Sequence, residues 1–202
     1  MSEFKSYSQY GEDKTLKDIL GDTGYFLEIG SFHPTIFSNT RFLVERDWSG
    51  CYVEGSPSAM ARFVDEYKDN DKITLISSLF GDKYGIALFY DSIGDGISST
   101  DIDHVEKWKY GSGCKFKKIF APVIDQNILY KLIPSTVDFI NIDVEGQSAY
   151  FSTLIDYNKL NTKVICIEHD SQQQLLREHF SSIGYYPHFE NHTNIIFVKT
   201  EL

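Results

Sequence analysis

At 202 residues and 23.2 kDa the chain has the length of one ordinary domain. Its 42% hydrophobic and 15% aromatic content suits a packed core and excludes a disordered chain. A net charge of −10, from 29 acids against 19 bases, excludes the broad basic face that a nucleic-acid duplex requires.

The N-terminal stretch MSEFKSYSQYGEDK carries neither an apolar h-region nor a small-residue cleavage site. No apolar run reaches the roughly 18 residues that span a bilayer. A cytoplasmic location with no membrane partner is the resulting expectation. The first strand is Tyr25 to Ile29, an apolar run closed by Gly30. A helix begins at Ser38 or Asn39, both good caps, and runs to Asp47. A short strand at Cys51 to Val53 leads to Ser56-Pro57, an N-cap and a first-turn proline that open a helix through about Tyr67. Strand-like runs follow at Ile73 to Ser77 and Ile86 to Tyr90.

The stretch 91–118 reads as irregular, a surface excursion of the kind that forms lids. Its basic cluster, Lys115, Lys117 and Lys118, reads as a solvated edge, or else as a contact for an anionic substrate. Beyond it come a helix at Asp125 to Ile133, a strand at Phe139 to Ile142, a helix at Gln147 to Tyr157 and a strand at Val164 to Ile167. A last helix, Ser171 to Ile183, precedes two strands, Tyr185 to Glu190 and Asn194 to Lys199, turned at Asn191-His192. That hairpin has no crossover helix, so one of its strands should be antiparallel. The alternation is that of an α/β sheet. Cys51, Cys114 and Cys166 are too far apart for a zinc motif and read as reduced thiols.

Four stretches carry chemistry, each an acid at a strand end. In YFLEIGSFHP the strand delivers Glu28 and then Gly30. An E-x-G of this kind also makes a plain turn, but ligands of doubly wound sheets bind at such strand ends. CYVEGSP delivers Glu54, placed to accept the ribose hydroxyls of an adenosine group. The intervening segment has one glycine, a bulky Phe32 and Pro34, which has no N–H, where a dinucleotide site needs G-x-G-x-x-G. A phosphate-free cofactor suits it better. S-adenosylmethionine is one, its ammonium near Glu28 and its carboxylate against Ser38 and Asn39.

DFINIDVEG presents Asp143 and Glu145, two residues apart and able to face one cleft. CIEHD presents Glu168, His169 and Asp170. The histidine has the pKa range of a base, although a lone histidine also serves as a structural hydrogen-bonder.

In this order the motifs resemble the FkbM-type methyltransferases: S-Q-Y-G-E-D (Ser8 to Asp13), F-L-E-I-G, S-N-T (Ser38 to Thr40), D-W-S-G-C-Y-V-E-G-S-P, I-S-S-T (Ile97 to Thr100), V-D-F-I-N-I-D-V-E-G and I-E-H. The resemblance spans about residues 8 to 199. It implies a class I methyltransferase fold over 1–202, a Rossmann-like three-layer α/β/α sandwich. Its sheet would be mostly parallel and seven-stranded, with a C-terminal antiparallel hairpin. Residues 1–22 would cap the site and 91–118 would act as its lid. The implied activity is O-methylation by S-adenosylmethionine of a hydroxyl on a small molecule or a sugar or glycan. Cofactor contacts carried over are Glu28, Gly30, Ser31, Ser38, Asn39, Glu54, Ser78 and Asp143, with Gln9 and Tyr10 folding over them. Pro34 departs from the family, which often has glycine there.

For the chemistry, an acceptor hydroxyl attacks the methyl carbon and must lose its proton. His169 is the first candidate base, then Glu145 and Asp143, with Glu168 orienting. A divalent metal, if used, would be held by Asp143, Glu145 and Glu168; base and metal remain alternatives here. Two rivals are a non-catalytic cofactor-binding module and a nucleotide-dependent oxidoreductase, the latter disfavoured by the missing glycines.

Overall fold

The computed structural model describes residues 4–200, so both ends of the expected 1–202 domain, and the start of its 1–22 segment, lie outside the described residues. The central strand β1 (Tyr25–Ile29) is buried almost throughout because both its faces are covered. Phe26 and Glu28 point to one layer of helices, Leu27 and Ile29 to the other. On one side it pairs in parallel with β2 (Ser49–Glu54), which pairs with β3 (Ile73–Ser77). On the other it pairs in parallel with β7 (Phe139–Ile142), followed by β8 (Val164–Glu168). The sheet closes with β10 (Asn194–Lys199) and then β9 (Tyr185–Glu190), giving the order β3-β2-β1-β7-β8-β10-β9. Strand β10 runs antiparallel to both neighbours, as a hairpin without a crossover helix requires.

Helices cover both faces. Leu16 of α1 (Glu12–Ile19), Phe42 of α2 (Arg41–Glu45) and Phe63 of α3 (Pro57–Tyr67) pack on Phe26, Phe139 and Val164. On the opposite face, Leu129 of α5 (Gln126–Leu132), Ala149 of α6 (Ser148–Ser152) and Phe180 of α7 (Gln173–Ser182) pack on Leu27, Ile140 and Ile165. The three-layer α/β/α sandwich with a seven-stranded, mostly parallel sheet is therefore present. Ser56 caps α3 as expected, its Oγ accepting the Ala59 N–H, with Pro57 in the first turn.

The stretch expected to be irregular is mostly regular. It holds α4 (Ile102–Ser112), begun by Asp101, whose carboxylate accepts the Asp103 N–H, and ended by Gly113 in the left-handed region at φ 70°. Its last residues start β6 (Lys117–Ile124), which the sequence reading missed. The run at Ile86 to Tyr90 belongs to β5 (Gly85–Asp91), and β5 is outside the main sheet. With β4 (Leu79–Phe80) and β6 it forms a second sheet in the order β4-β6-β5. Two further helices are shorter than expected, α2 ending at Glu45 and α6 at Ser152.

Phe180 anchors the α7 face. It is fully buried, stacks on Phe197 at 4.5 Å between ring centres and meets Tyr157 edge-on at 5.3 Å. Phe180→Ala is expected to lower unfolding stability by about 3–5 kcal/mol, read from the urea midpoint, because four aromatic neighbours cannot collapse into the space.

Candidate functional site

Strand order reverses between β1 and β7, and a crevice opens there beyond the carboxyl ends of the parallel strands. Gly30 makes the crevice. Its φ is +79°, and a Cβ at this position would lie 1.8 Å from the Asp143 carbonyl oxygen. The chains after β1 and β7 thus touch backbone to backbone, and only glycine permits it. The close approach is to the Asp143 backbone.

A cavity of about 830 Å³ fills the crevice. It is lined by Gln9, Glu28, Gly30, Ser31, Asn39, Glu54, Ser78, Asp143, Glu145 and Glu168, all singled out in the sequence. Glu54 accepts the Ser31 N–H at 2.8 Å and the Ser56 N–H, so the ends of β1 and β2 are tied through one carboxylate. Glu28 accepts the Thr40 hydroxyl at 2.6 Å, and Thr40 lies 3.0 Å from the Tyr52 hydroxyl. The Asn39 amide donates to Asn141 Oδ1 at 3.1 Å. Two buried polar atoms in this lining have no partner, Ser31 Oγ and Asp143 Oδ1.

Burial without counter-charge sets the protonation of these acids. It pushes Glu28 up to about 8, against the Thr40 hydrogen bond, with Asp143 and Glu54 adding repulsion. Glu54 rises to about 7 by burial, restrained by its backbone donors. Asp143 rises to about 6 by burial, with its hydrogen bond to Glu168 opposing. Burial raises Glu168 and Glu145 further, and neighbouring carboxylates add to it. Oxygens of Asp143, Glu145 and Glu168 all lie within 4.8 Å of one another. That is hard-donor chemistry, suited to one shared proton or one divalent cation.

Three expected residues are not brought into the cavity. His169 lies in a separate shallow groove, where its Nδ1 accepts the Ser171 N–H at 3.1 Å. Its Nε2 lies 3.5 Å from Gln173 Nε2. Ser38 Oγ accepts the Arg41 N–H at 3.1 Å, and α2 starts at Arg41 with Thr40 at its N-cap, later than the expected Ser38 or Asn39. Tyr10 is 47% exposed and packs edge-on against His192.

Other cavity residues escaped the sequence reading. Glu12, fully buried, accepts both Asn191 and Asn194 amides at 2.7 Å and fastens the N-terminal segment over the crevice. The signal was available in S-Q-Y-G-E-D, whose acid lies two residues beyond Tyr10. Asn141 was legible too, as a polar residue inside an apolar strand. His104 of α4, which lines the neighbouring groove with His169 and places its Nε2 3.5 Å from Glu145 Oε2, had no local signal. Phe89 and Trp108 line the far wall.

No protein-family model and no curated protein matches the chain. Solved structures do. A Clostridium thermocellum protein assigned as an rRNA methylase aligns over 98% of this chain and 99% of its own, with a TM-score of 0.55 and 10% identity. The METTL16 methyltransferase domain aligns over 93% of this chain and 65% of its own, with a TM-score of 0.52 and 10% identity. The shared property is the fold, a Rossmann-like methyltransferase fold.

The raised acid at Glu28 has a consequence for stability. Its folded pKa of about 8 exceeds the ordinary carboxylate value, so its contribution is complete below the unfolded pKa and is lost as pH rises through about 8. Stability of the ligand-free protein should fall across that window by on the order of a few kcal/mol, and Glu28→Gln should flatten the fall in urea titrations taken at several pH values. Gly30→Ala should cost about 2–5 kcal/mol in the same assay, from left-handed strain and overpacking together.

Proposed function

We propose that this chain is an S-adenosylmethionine-dependent O-methyltransferase acting on a hydroxyl of a small-molecule or carbohydrate acceptor. The observation that carries the reading is the carboxylate lining at the ends of β1, β2, β7 and β8, in a cavity with a single lysine or arginine, Lys83, among its described lining residues. Such a lining favours a cationic ligand, and S-adenosylmethionine brings a sulfonium and an ammonium. Phosphates are poorly served. The Ser31 N–H is taken by Glu54, those of Thr35 and Ile36 by His33 Nδ1, and Pro34 has none. This argues against the oxidoreductase alternative. Glu54 is the acceptor for the ribose hydroxyls, and the unpaired Ser31 Oγ is a free donor beside it.

The acceptor oxygen attacks the methyl carbon as the carbon–sulfur bond breaks, and S-adenosylhomocysteine leaves with the electron pair. The hydroxyl proton passes to the Asp143–Glu145–Glu168 cluster, which replaces His169 as the base. Alignment of oxygen, carbon and sulfur supplies most of the rate, about 7–11 kcal/mol in favourable cases. The unpaired Asp143 Oδ1 and the crowding of these three groups also fit a divalent cation held by Asp143, Glu145 and Glu168. Such a cation supplies charge that lowers the pKa of a nearby hydroxyl.

An RNA acceptor is the second reading, favoured by the full-length likeness to a protein assigned as an rRNA methylase. The charge of −10 weighs against it.

Titration calorimetry tests the cofactor: S-adenosylhomocysteine should bind in the micromolar range, NAD should not, and Glu54→Ala should weaken binding about tenfold or more. Binding of neither ligand would overturn the proposal. Transfer of labelled methyl to hydroxylated small molecules and not to RNA separates the two acceptor readings. Asp143→Asn should reduce turnover by about 10²-fold or more when measured at saturating S-adenosylmethionine. If the cluster holds metal, Mg²⁺ or Mn²⁺ should raise the melting temperature more at about pH 8 than at about pH 6, since protons compete for the same oxygens, and Glu168→Gln should remove the effect.

A further inference from the structure

The accessory sheet presents an outer face that a water-exposed sheet should not have. Its register places Ile86 beside Pro122, Leu88 beside Phe120 and Tyr90 beside Lys118 on that face. Ile86 is 77% exposed and Phe120 78%. The inward positions are ordinary: Phe89 and Ala121 are buried, and Asp91, the single acid of β5, turns in to accept the Ser56 hydroxyl at 2.8 Å. A half-covered antiparallel sheet places polar residues outside. Here large apolar side chains stand outside and are contiguous, which marks an interaction surface.

Lysines cluster at the end of this face where β6 starts: Lys118 stands on it beside Tyr90, Lys115 precedes it and Lys117 pairs with Asp91 on the other side, while at the opposite end Lys83 is accompanied by the exposed Asp82. All four are exposed, and neither strand turns an acid outward; the exposed acid beside the face is Asp82, before β5. In a chain of net charge −10 this is a local reversal of sign. Screening acts over about 8 Å at physiological salt, so the local lysines set the attraction and the distant acids do not.

We propose that the outer face of the accessory sheet docks on an anionic lipid bilayer. Apolar side chains enter the headgroup boundary while lysines meet the lipid charge, the pairing that interfacial surfaces use. No helix among the described residues is long and apolar enough to cross a membrane, so the contact is peripheral. A second copy that sets the β6 start against itself fits the face less well, because lysine then meets lysine. The docked orientation also places the cavity at the bilayer, since Ile86 and Tyr84 belong both to the cavity rim and to this face. An amphiphilic acceptor held in the membrane could then present its hydroxyl without leaving it.

The test is co-sedimentation of the full chain with vesicles of phosphatidylcholine, alone or with about 30% phosphatidylglycerol. The chain should sediment with the anionic vesicles, less with the neutral ones, and less at high salt. Phe120→Asp and Lys118→Glu should each weaken vesicle binding about tenfold or more. Both residues are exposed and outside the cavity, so S-adenosylhomocysteine affinity should be unchanged; that measurement keeps this inference separate from the proposed activity. Failure of the wild-type chain to sediment, or sedimentation untouched by Phe120→Asp, would overturn the proposal. So would a wild-type dimer that Phe120→Asp converts to a monomer, which would assign the face to self-association.

Discussion

Carboxylates buried together without counter-charge are the constraint on which the rest of this structure depends. A sheet of parallel strands places its carboxyl ends along one edge, and here four of those ends deliver acids into one cavity. Desolvation and mutual repulsion then drive protons onto them. The surroundings answer with donors: backbone N–H groups for Glu54, a threonine hydroxyl for Glu28, asparagine amides for Glu12. What is left over is the unpaired Asp143 oxygen above all. Without a ligand the site therefore carries unfavourable electrostatics, which the proposed cationic ligand would relieve.

The short elements near the crevice follow from the same need. The S-N-T segment makes three separate connections: Ser38 accepts from the Arg41 N–H of α2, Asn39 reaches Asn141 on β7, and Thr40 reaches Glu28 on β1. α2 is only five residues long, and its position rests on these contacts and on buried Phe42 and Leu43. Gly30 works in the opposite way, by removing a side chain so that two loops can touch. One device adds hydrogen bonds and the other removes bulk. Both hold the ends of β1 and β7 at a fixed separation, on which any alignment of reacting atoms would depend.

The accessory sheet and α4 have a different logic. They wall the far side of the cavity with Phe89 and Trp108 while leaving Ile86 and Phe120 in solvent. Apolar burial accounts for the inner face alone. The outer face has no covering element in this fold, and the proposed anionic partner would meet the lysines at its edge.

Much of this was readable from residues alone. Alternating strand-like and helical runs pointed to an α/β sheet, the family resemblance implied its seven mostly parallel strands, and a hairpin lacking a crossover determined the antiparallel end. Glu28, Glu54, Asp143, Glu145 and Glu168 were legible because strand ends of a doubly wound sheet share one edge whatever the loops do. Tertiary structure alone decided the remainder. Whether β5 joined the main sheet depended on β6, whose lysine-rich start hid a strand. Whether His169 faced the cavity depended on the turn after β8, where Asp170 and Ser171 both take positive φ and carry the histidine into another groove. His104 came to Glu145 through a helix that local signals did not reveal. Strand edges follow from hydrophobic period, which is local; side-chain direction past a strand end follows from packing between segments far apart in the chain, which is not.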